Sequence, residues 1–152
     1  MDLIKSCHIL HRQTTSKIIV KKNDYLCPKC KGHLNAGGYV IFSTKNNRNK
    51  KGLILLSPDV GSYTYKHHDE YVFEEGEIVE FNCPICLKNL KSSSHPEFAG
   101  IIMVDHHNLE YNVLFSRITG IKSTYVISPD DVEVFGEDAA DFDDVLDEPG
   151  YL

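Results

Sequence analysis

Four of the five cysteines in this 152-residue sequence form two close pairs, each with proline directly after the first cysteine. The pairs are Cys27 with Cys30 and Cys83 with Cys86, and the residues around them can be aligned without gaps. A two-residue gap makes a tight turn that directs both thiolates towards one point, and proline presets the backbone angle of that turn. Two such turns supply four sulfurs at about 2.3 Å from a shared Zn²⁺ ion. The spacing therefore predicts one structural zinc ion per chain.

The residues that flank the two pairs also repeat. An aromatic residue stands two positions before each pair and a leucine stands four positions after it, and we expect these side chains to cover the metal: Tyr25, Leu34, Phe81 and Leu90. The 52 residues between Cys30 and Cys83 are more than a minimal zinc ribbon contains. The metal is therefore expected to tie together the two ends of a β insertion.

Three other kinds of chemistry could use the same cysteines. A redox dithiol is less favoured, because the pairs are duplicated and no βαβ pattern surrounds them. An iron site with four sulfurs has the same ligand set and stays open as an alternative. A catalytic zinc needs an open coordination position, which four thiolates would close. The site is therefore predicted to be structural.

With these features, residues 25–90 resemble small uncharacterised bacterial zinc-ribbon proteins, in which two Cys-Pro-x-Cys knuckles bracket a β region. The resemblance includes the segment 75–82 that leads into the second pair. It implies the metal and its four cysteine ligands, and it implies nothing about activity. The sequence departs from the usual ribbon directly after each pair, where Lys31 and Leu87 replace glycine.

A histidine motif offers a different function. Asp105-His106-His107 follows an apolar run, as it does in a family of manganese-dependent phosphoesterases. That chemistry needs further aspartates at the ends of other parallel strands, and the sequence does not provide them. The simpler prediction is the loop of a hairpin, because a three-residue motif without its context is a weak signal.

Other histidines could build a second site only if separate loops converged. His67-His68-Asp69 and His95 are of this kind, and adjacent histidines in a strand point to opposite faces. Cys7 with His8 and His11 lacks the third group that a nucleophilic site needs. No catalytic residue is predicted, and we expect the protein not to be an enzyme.

Charge is distributed unevenly along the chain. Residues 1–51 contain eleven basic and two acidic residues, residues 52–127 contain five and ten, and residues 128–152 contain none and ten. The basic first third could bind a phosphate backbone, with Lys45, Arg48, Lys50 and Lys51 as candidates at a predicted hairpin tip. The acidic remainder would repel nucleic acid unless it lies on another side. We therefore predict an interaction or regulatory module that binds another protein within a larger assembly, with nucleic-acid binding as the alternative.

Short apolar runs separated by turn residues continue through most of the chain. They predict β-strands at 39–42, 53–56, 62–65, 71–73, 78–81, 99–104, 110–116 and 123–127. No segment before residue 130 has the pattern of an amphipathic helix. The predicted fold is mainly β: a zinc ribbon enlarged by an inserted antiparallel β meander, with an acidic C-terminal tail.

The sequence divides into three parts: a basic arm or first strand (1–24), the zinc-ribbon β domain (25–127) and the acidic tail (128–152). The tail mixes its acids with Phe142, Val145 and Leu146, which could anchor it on the basic residues of this chain or on a partner protein. No apolar run approaches the roughly 18 residues of a membrane span, and the first ten residues do not read as a secretory signal. We expect a cytoplasmic protein, since free cysteines in a reducing compartment favour metal over disulfides.

Overall fold

The computed structural model describes residues 22–139, which form ten β-strands and no α-helix. The strands are β1 (Asp24–Leu26), β2 (Asn35–Ala36), β3 (Tyr39–Lys45), β4 (Lys51–Leu56), β5 (Tyr65–His67), β6 (Glu80–Asn82), β7 (Phe98–Val104), β8 (Glu110–Ser116), β9 (Thr124–Ile127) and β10 (Val132–Phe135). The predicted β class is therefore confirmed. Within the same residues, no helix has the length and apolar character needed to cross a membrane.

The strands form two antiparallel sheets. Sheet A has the order β1-β7-β8-β9-β10, whereas sheet B has the order β2-β3-β4-β5, with β6 pairing along the end of β3. Every strand of sheet B lies between the two cysteine pairs, and sheet A combines β1 with the strands that follow the second pair. Sheet B is thus the predicted insertion. Each cysteine pair lies where the chain passes from one sheet to the other.

The core lies between the sheets and follows from the alternation of side chains along the strands. In β3, Val40, Phe42 and Thr44 are buried while their neighbours are less covered, as a strand with one face against a core requires. Sheet A contributes Ile101, Met103, Val113 and Val126 to the same cluster. The core also includes Cys27 and Cys83. The predicted cysteine ligands are therefore continuous with the apolar core.

Three phenylalanine rings join the sheets at the centre of this core. The ring of Phe42 in β3 lies 5.5 Å from that of Phe81 in β6 and 5.5 Å from that of Phe115 in β8. The rings of Phe81 and Phe115 are 5.1 Å apart and perpendicular, an arrangement that suits the charge distribution of aromatic rings. A cleft of about 280 Å³ borders these rings and is also lined by residues 59–65 and 116–122.

Two of the predicted strands differ from the structure. Residues 71–73 connect β5 to β6 without pairing, and β5 begins only at Tyr65. Tyr71 is buried because its hydroxyl bonds the Thr44 hydroxyl at 2.7 Å and its ring packs on Gly52. A Cβ atom at Gly52 would lie only 2.5 Å from that ring, so this close approach needs glycine. The apolar run at 71–73 therefore reflects the packing of Tyr71 and Phe73, whereas Val72 is exposed.

The acidic C-terminal region begins inside sheet A. Ser128 and Asp131 form a turn, in which the amide of Ser128 donates to the carbonyl of Asp131 at 2.9 Å. The chain then returns as β10, which pairs with β9 from Val132 to Phe135. The predicted boundary between residues 127 and 128 thus falls within a hairpin. The candidates Phe142, Val145 and Leu146 lie outside the described residues.

Candidate metal centre

The first cysteine pair lies in a turn directly after β1. The amide of Lys31 donates to the carbonyl of Cys27 at 2.9 Å, and the amide of Cys27 donates to the carbonyl of Gly32 at 3.0 Å. The chain then runs back beside β1, where the amide of Leu34 donates to the carbonyl of Tyr25 at 2.7 Å. These backbone bonds hold the segment as a compact knuckle.

The second pair repeats this knuckle 56 positions later, at the end of β6. The amide of Leu87 donates to the carbonyl of Cys83 at 2.9 Å, and the amide of Cys83 donates to the carbonyl of Lys88 at 3.0 Å. The repeat in sequence is therefore a repeat in local structure. The flanking residues expected to cover the site are all buried, at 6% exposure or less: Tyr25, Leu34, Phe81 and Leu90.

The two knuckles bring four sulfurs together. The Sγ atoms of Cys27 and Cys86 are 3.8 Å apart, as are those of Cys30 and Cys83, and all four lie within 4.8 Å of one another. A tetrahedron with metal–sulfur bonds of 2.3 Å has edges of about 3.8 Å. These four cysteines could therefore hold one tetrahedral metal ion. Among residues 22–139, no other group of three or more potential metal ligands is this compact.

Backbone amides in both knuckles point at the sulfurs. Cys27 Sγ accepts hydrogen bonds from the amides two and three positions ahead, at 3.3 and 3.5 Å. Cys83 Sγ accepts the equivalent bonds at 3.3 and 3.4 Å. Hydrogen bonds to the charged form of a group favour that form. The donors therefore suit thiolates, which are the form of cysteine that binds a metal.

Without a bound cation, the two thiols of the second knuckle have very different pKa values. Burial is the main cause that raises the pKa of Cys83 to about 12, whereas the amide of Lys88 is the main cause that lowers the pKa of Cys86 to about 7. A bound cation offsets the cost of burying the Cys83 thiolate. Metal binding at this site is therefore expected to release protons.

The two knuckles pack directly on each other at one side of the site. Cys27 and Cys83 are fully buried, whereas Cys30 is exposed. A Cβ atom at Gly32 would lie 2.6 Å from Cδ1 of Ile85 and 3.2 Å from the sulfur of Cys30. Because Gly32 has no side chain, Ile85 of the second knuckle can pack against the backbone of the first.

The residues that replace glycine after each pair keep the backbone conformation that glycine would adopt. Lys31 has a φ of 63° and Leu87 has a φ of 64°. For residues with a Cβ atom, this left-handed conformation costs roughly 1–2 kcal/mol. The departure from the usual ribbon sequence therefore leaves the knuckle geometry intact and places strain in both knuckles.

We expect Leu87→Gly to raise the free energy of unfolding by about 0.5–1 kcal/mol, because the relief of strain exceeds the entropy that glycine loses on folding. The measurement is chemical denaturation with excess zinc, so that the metal stays bound. Leu87→Ala is the matched control: it removes the same exposed side chain but keeps the Cβ atom and should not stabilise. Equal effects of the two variants would show that backbone strain is not relieved.

The histidine motif Asp105-His106-His107 lies in the turn between β7 and β8. Oδ1 of Asp105 accepts bonds from the amides of His107 at 2.8 Å and Leu109 at 3.0 Å, and Oδ2 accepts one from the Tyr111 hydroxyl at 2.9 Å. These bonds lower the pKa of Asp105, and the bond from the Leu109 amide has the largest effect. The carboxylate therefore organises the hairpin turn.

The other predicted histidines are distributed over separate loops. His67 Nδ1 lies 2.8 Å from the carbonyl of His68, and the ring of His67 packs on Phe73. His95 lies near Phe98 in the segment before β7. No compact ligand group includes these side chains within the described part of the chain. Cys7, His8 and His11 lie outside that part.

The basic candidates at the β3–β4 turn are partly neutralised by acids. Lys45 lies 3.7 Å from Glu80, and Arg48 forms an ion pair of 2.7 Å with Glu74. Lys50 and Lys51 are exposed. The turn itself depends on Asn46, which was expected at an exposed tip but is buried, and whose Oδ1 accepts two backbone bonds at 3.0 Å.

Sequence reasoning missed the exposed apolar side chains at the tip of the second knuckle. Ile85 is 59% exposed and Leu87 is 70% exposed. Their positions were visible in the alignment of the two pairs, where lysines stand at the equivalent places in the first knuckle. That equivalence was the signal that could have found them, because lysines at these places indicate positions that face solvent, as Lys29 and Lys31 do.

Comparison with known proteins supplies no relative for this chain: no protein family, no curated protein and no solved structure matches it. The likeness to zinc-ribbon proteins therefore rests on the two knuckles and their four cysteines.

Proposed function

We propose that this protein is a non-catalytic interaction module that binds another protein and whose fold is maintained by one zinc ion. Cys27, Cys30, Cys83 and Cys86 are the ligands. The observation that carries the proposal is the convergence of these four sulfurs at the two places where the chain passes between the sheets. A metal at this position holds both connections at once. Four free cysteines reserved for a metal also fit a reducing compartment such as the cytoplasm.

The proposal that the metal is structural rests on its ligand set. Four cysteine sulfurs complete the tetrahedral coordination of zinc and leave no position for water or substrate. The hydrogen bonds that Asp105 makes within its own turn likewise engage both of its oxygens. They support a structural role for the one motif that suggested a hydrolase.

Protein binding is favoured by the character of the exposed surface. Ile85 and Leu87 project from the second knuckle, and their apolar side chains would be covered by a protein partner. Nucleic-acid binding through Lys45, Arg48, Lys50 and Lys51 remains the second candidate. It is supported less, because two of these four side chains form ion pairs with acids.

Elemental analysis of the purified protein tests the metal assignment. We expect one zinc per chain, because the described residues contain one compact set of ligands. An iron atom in its place would be recognised by the visible absorption of an iron–thiolate site. A second metal bound by every chain would contradict the non-catalytic proposal and favour the histidine motifs.

The nucleic-acid alternative makes its own prediction. Retention on immobilised single-stranded DNA should fall steeply with salt and should be lost in the double variant Lys50→Ala and Lys51→Ala. If the unmodified protein is not retained at low salt, the alternative is contradicted. Retention that depends on these two lysines would instead contradict the protein-binding proposal.

A further inference from the structure

The two knuckles present a continuous surface of basic and apolar side chains around the metal centre. We define this knuckle surface by the lysines and aliphatic residues that are exposed on it, Lys29, Lys31, Ile85, Leu87, Lys88 and Lys91. The repeat places Lys29 and Ile85 at equivalent positions, and likewise Lys31 and Leu87. Because Ile85 packs against Gly32, the tips of the two knuckles are in contact. The two knuckle tips therefore form one surface, and Lys88 and Lys91 follow it directly along the chain.

The knuckle surface carries positive charge. The segments 27–34 and 83–91 contain these four lysines and no acidic residue. The ion pairs of the described residues involve other cations, namely Lys45, Arg48 and Lys122. A zinc ion with four thiolates has a formal charge of −2, so the local sum with four lysines stays positive. An acidic ligand would therefore be attracted to the knuckles.

The same surface carries apolar side chains at a cost to the protein. Leu87 is 70% exposed and also occupies the left-handed conformation with a φ of 64°. A glycine or a polar residue at this position would avoid one or both of these costs. Strained backbone of this kind clusters at binding sites. The exposed leucine therefore indicates a ligand with apolar side chains of its own.

We propose that the knuckle surface binds the acidic and apolar segment 141–148 of this same chain. This inference rests on the proposed function and specifies the chemistry of its partner. The segment contains five acids in eight residues, and its apolar residues are Phe142, Val145 and Leu146. The acids complement the four lysines, and the apolar residues complement Ile85 and Leu87. An external partner for this surface would have the same composition and would have to displace the segment.

The end of the described chain lies in a suitable place for this contact. Ala139 packs against the cluster formed by Leu114, Tyr125 and Ile127. Leu114 and Tyr125 alternate along β8 and β9 with the core residues Val113 and Val126 and so face away from sheet B. The first knuckle follows β1, at the opposite edge of sheet A from β10. Five strands about 4.8 Å apart place these edges roughly 19 Å from each other. Measured from Ala139, an extended chain carries Leu146, seven residues on, up to about 24 Å and Phe142, three residues on, up to about 10 Å.

Nucleic acid fits the knuckle surface less well than an acidic peptide does. Proteins that bind single-stranded nucleic acid stack its bases on aromatic side chains. The exposed apolar residues of the knuckle surface, Ile85 and Leu87, are aliphatic. The chain as a whole also has a net charge of −6, which opposes association with phosphate backbones.

A tryptophan in the segment would report the contact, because the chain contains no tryptophan of its own. In zinc-loaded full-length Leu146→Trp protein, we expect blue-shifted emission that moves in high salt to the wavelength of the free peptide 141–148 with the same substitution. Replacing Lys29, Lys31, Lys88 and Lys91 together by Gln should produce the same red shift at low salt. Replacing Asp143, Asp144 and Asp147 by Asn should also produce the red shift, because these acids form the other side of the proposed contact.

The matched control removes charge elsewhere. The variant with Lys50→Gln and Lys51→Gln should keep the blue-shifted emission, because these exposed lysines lie on the β3–β4 turn. Emission equal to that of the free peptide in the zinc-loaded protein would overturn the proposal, and so would an equal red shift in the control. A red shift on dilution would assign the contact to a second copy of the chain and would also overturn it.

Two further readouts separate this inference from the proposed function. If every variant keeps one zinc and the emission wavelength does not change when the knuckle lysines are replaced, the inference fails. The structural role of the metal then still stands. If the unmodified protein lacks a stoichiometric metal, the proposed function itself fails. Binding of a single-stranded oligonucleotide through the four knuckle lysines, with no change in emission, would assign the surface to nucleic acid and overturn the inference.

Discussion

Removal of the metal is expected to unfold this protein as a whole. The two knuckles are the connections between the sheets, so their release separates sheet B from β1 on one side and from β7 on the other. Structural zinc supplies on the order of 10 kcal/mol of folding free energy in zinc-finger peptides. The total stability of a domain is about 5–15 kcal/mol. Loss of the metal therefore removes an amount comparable to the whole.

Two measurements follow this transition in the full-length protein. A strong chelator should abolish the β signal in circular dichroism in step with the release of zinc to a colorimetric indicator. The Cys86→Ser variant should likewise lose its stoichiometric zinc and its cooperative melting transition. The chelator removes the ion itself, whereas Cys86→Ser leaves three sulfurs for a buried site that needs four.

Cys7→Ser is the matched control, since Cys7 is the one cysteine outside the two pairs. It should keep one zinc per chain and melt as the unmodified protein does. The interpretation would be contradicted if Cys86→Ser retained both its metal and its melting behaviour. It would also be contradicted if the chelator removed zinc while the β signal remained.

The metal site was the most predictable part of the molecule, because its geometry is local. A Cys-Pro-x-Cys turn positions two sulfurs within four residues, and the duplicated flanks indicated that both turns share one fold. The β class was predictable for a similar reason. Alternating burial in β3 and the boundaries of β8 follow directly from the pattern of apolar residues.

The pairing of distant strands was not predictable from those patterns. β1 pairs with β7, where Leu26 lies opposite Ile102, although 75 residues separate these positions in the chain. Such contacts depend on the whole fold, and no local propensity encodes them. Charge pairing is another example. The sequence predicts a basic tip at Lys45 and Arg48, whereas the fold places Glu80 and Glu74 beside them.

Phe42→Ala is the core substitution from which we expect the largest loss of stability. The ring of Phe42 is fully buried and contacts Phe81 from its own sheet and Phe115 from the other. Truncation of a buried phenylalanine costs about 3–5 kcal/mol through lost transfer energy and the cavity that remains. The value should fall near 3 kcal/mol, because the cleft of about 280 Å³ beside the ring allows water to fill part of the space.

Leu53→Ala on the neighbouring strand β4 is the control, because Leu53 is 54% exposed and its loss should change stability by about 0.5 kcal/mol or less. Denaturant unfolding at saturating zinc compares the two variants. Below its melting temperature, Phe42→Ala should still bind one zinc, since the phenylalanine is not a ligand. That combination would separate the contribution of the core from that of the metal. A loss under 1 kcal/mol for Phe42→Ala would instead mean that the metal alone holds the two sheets together.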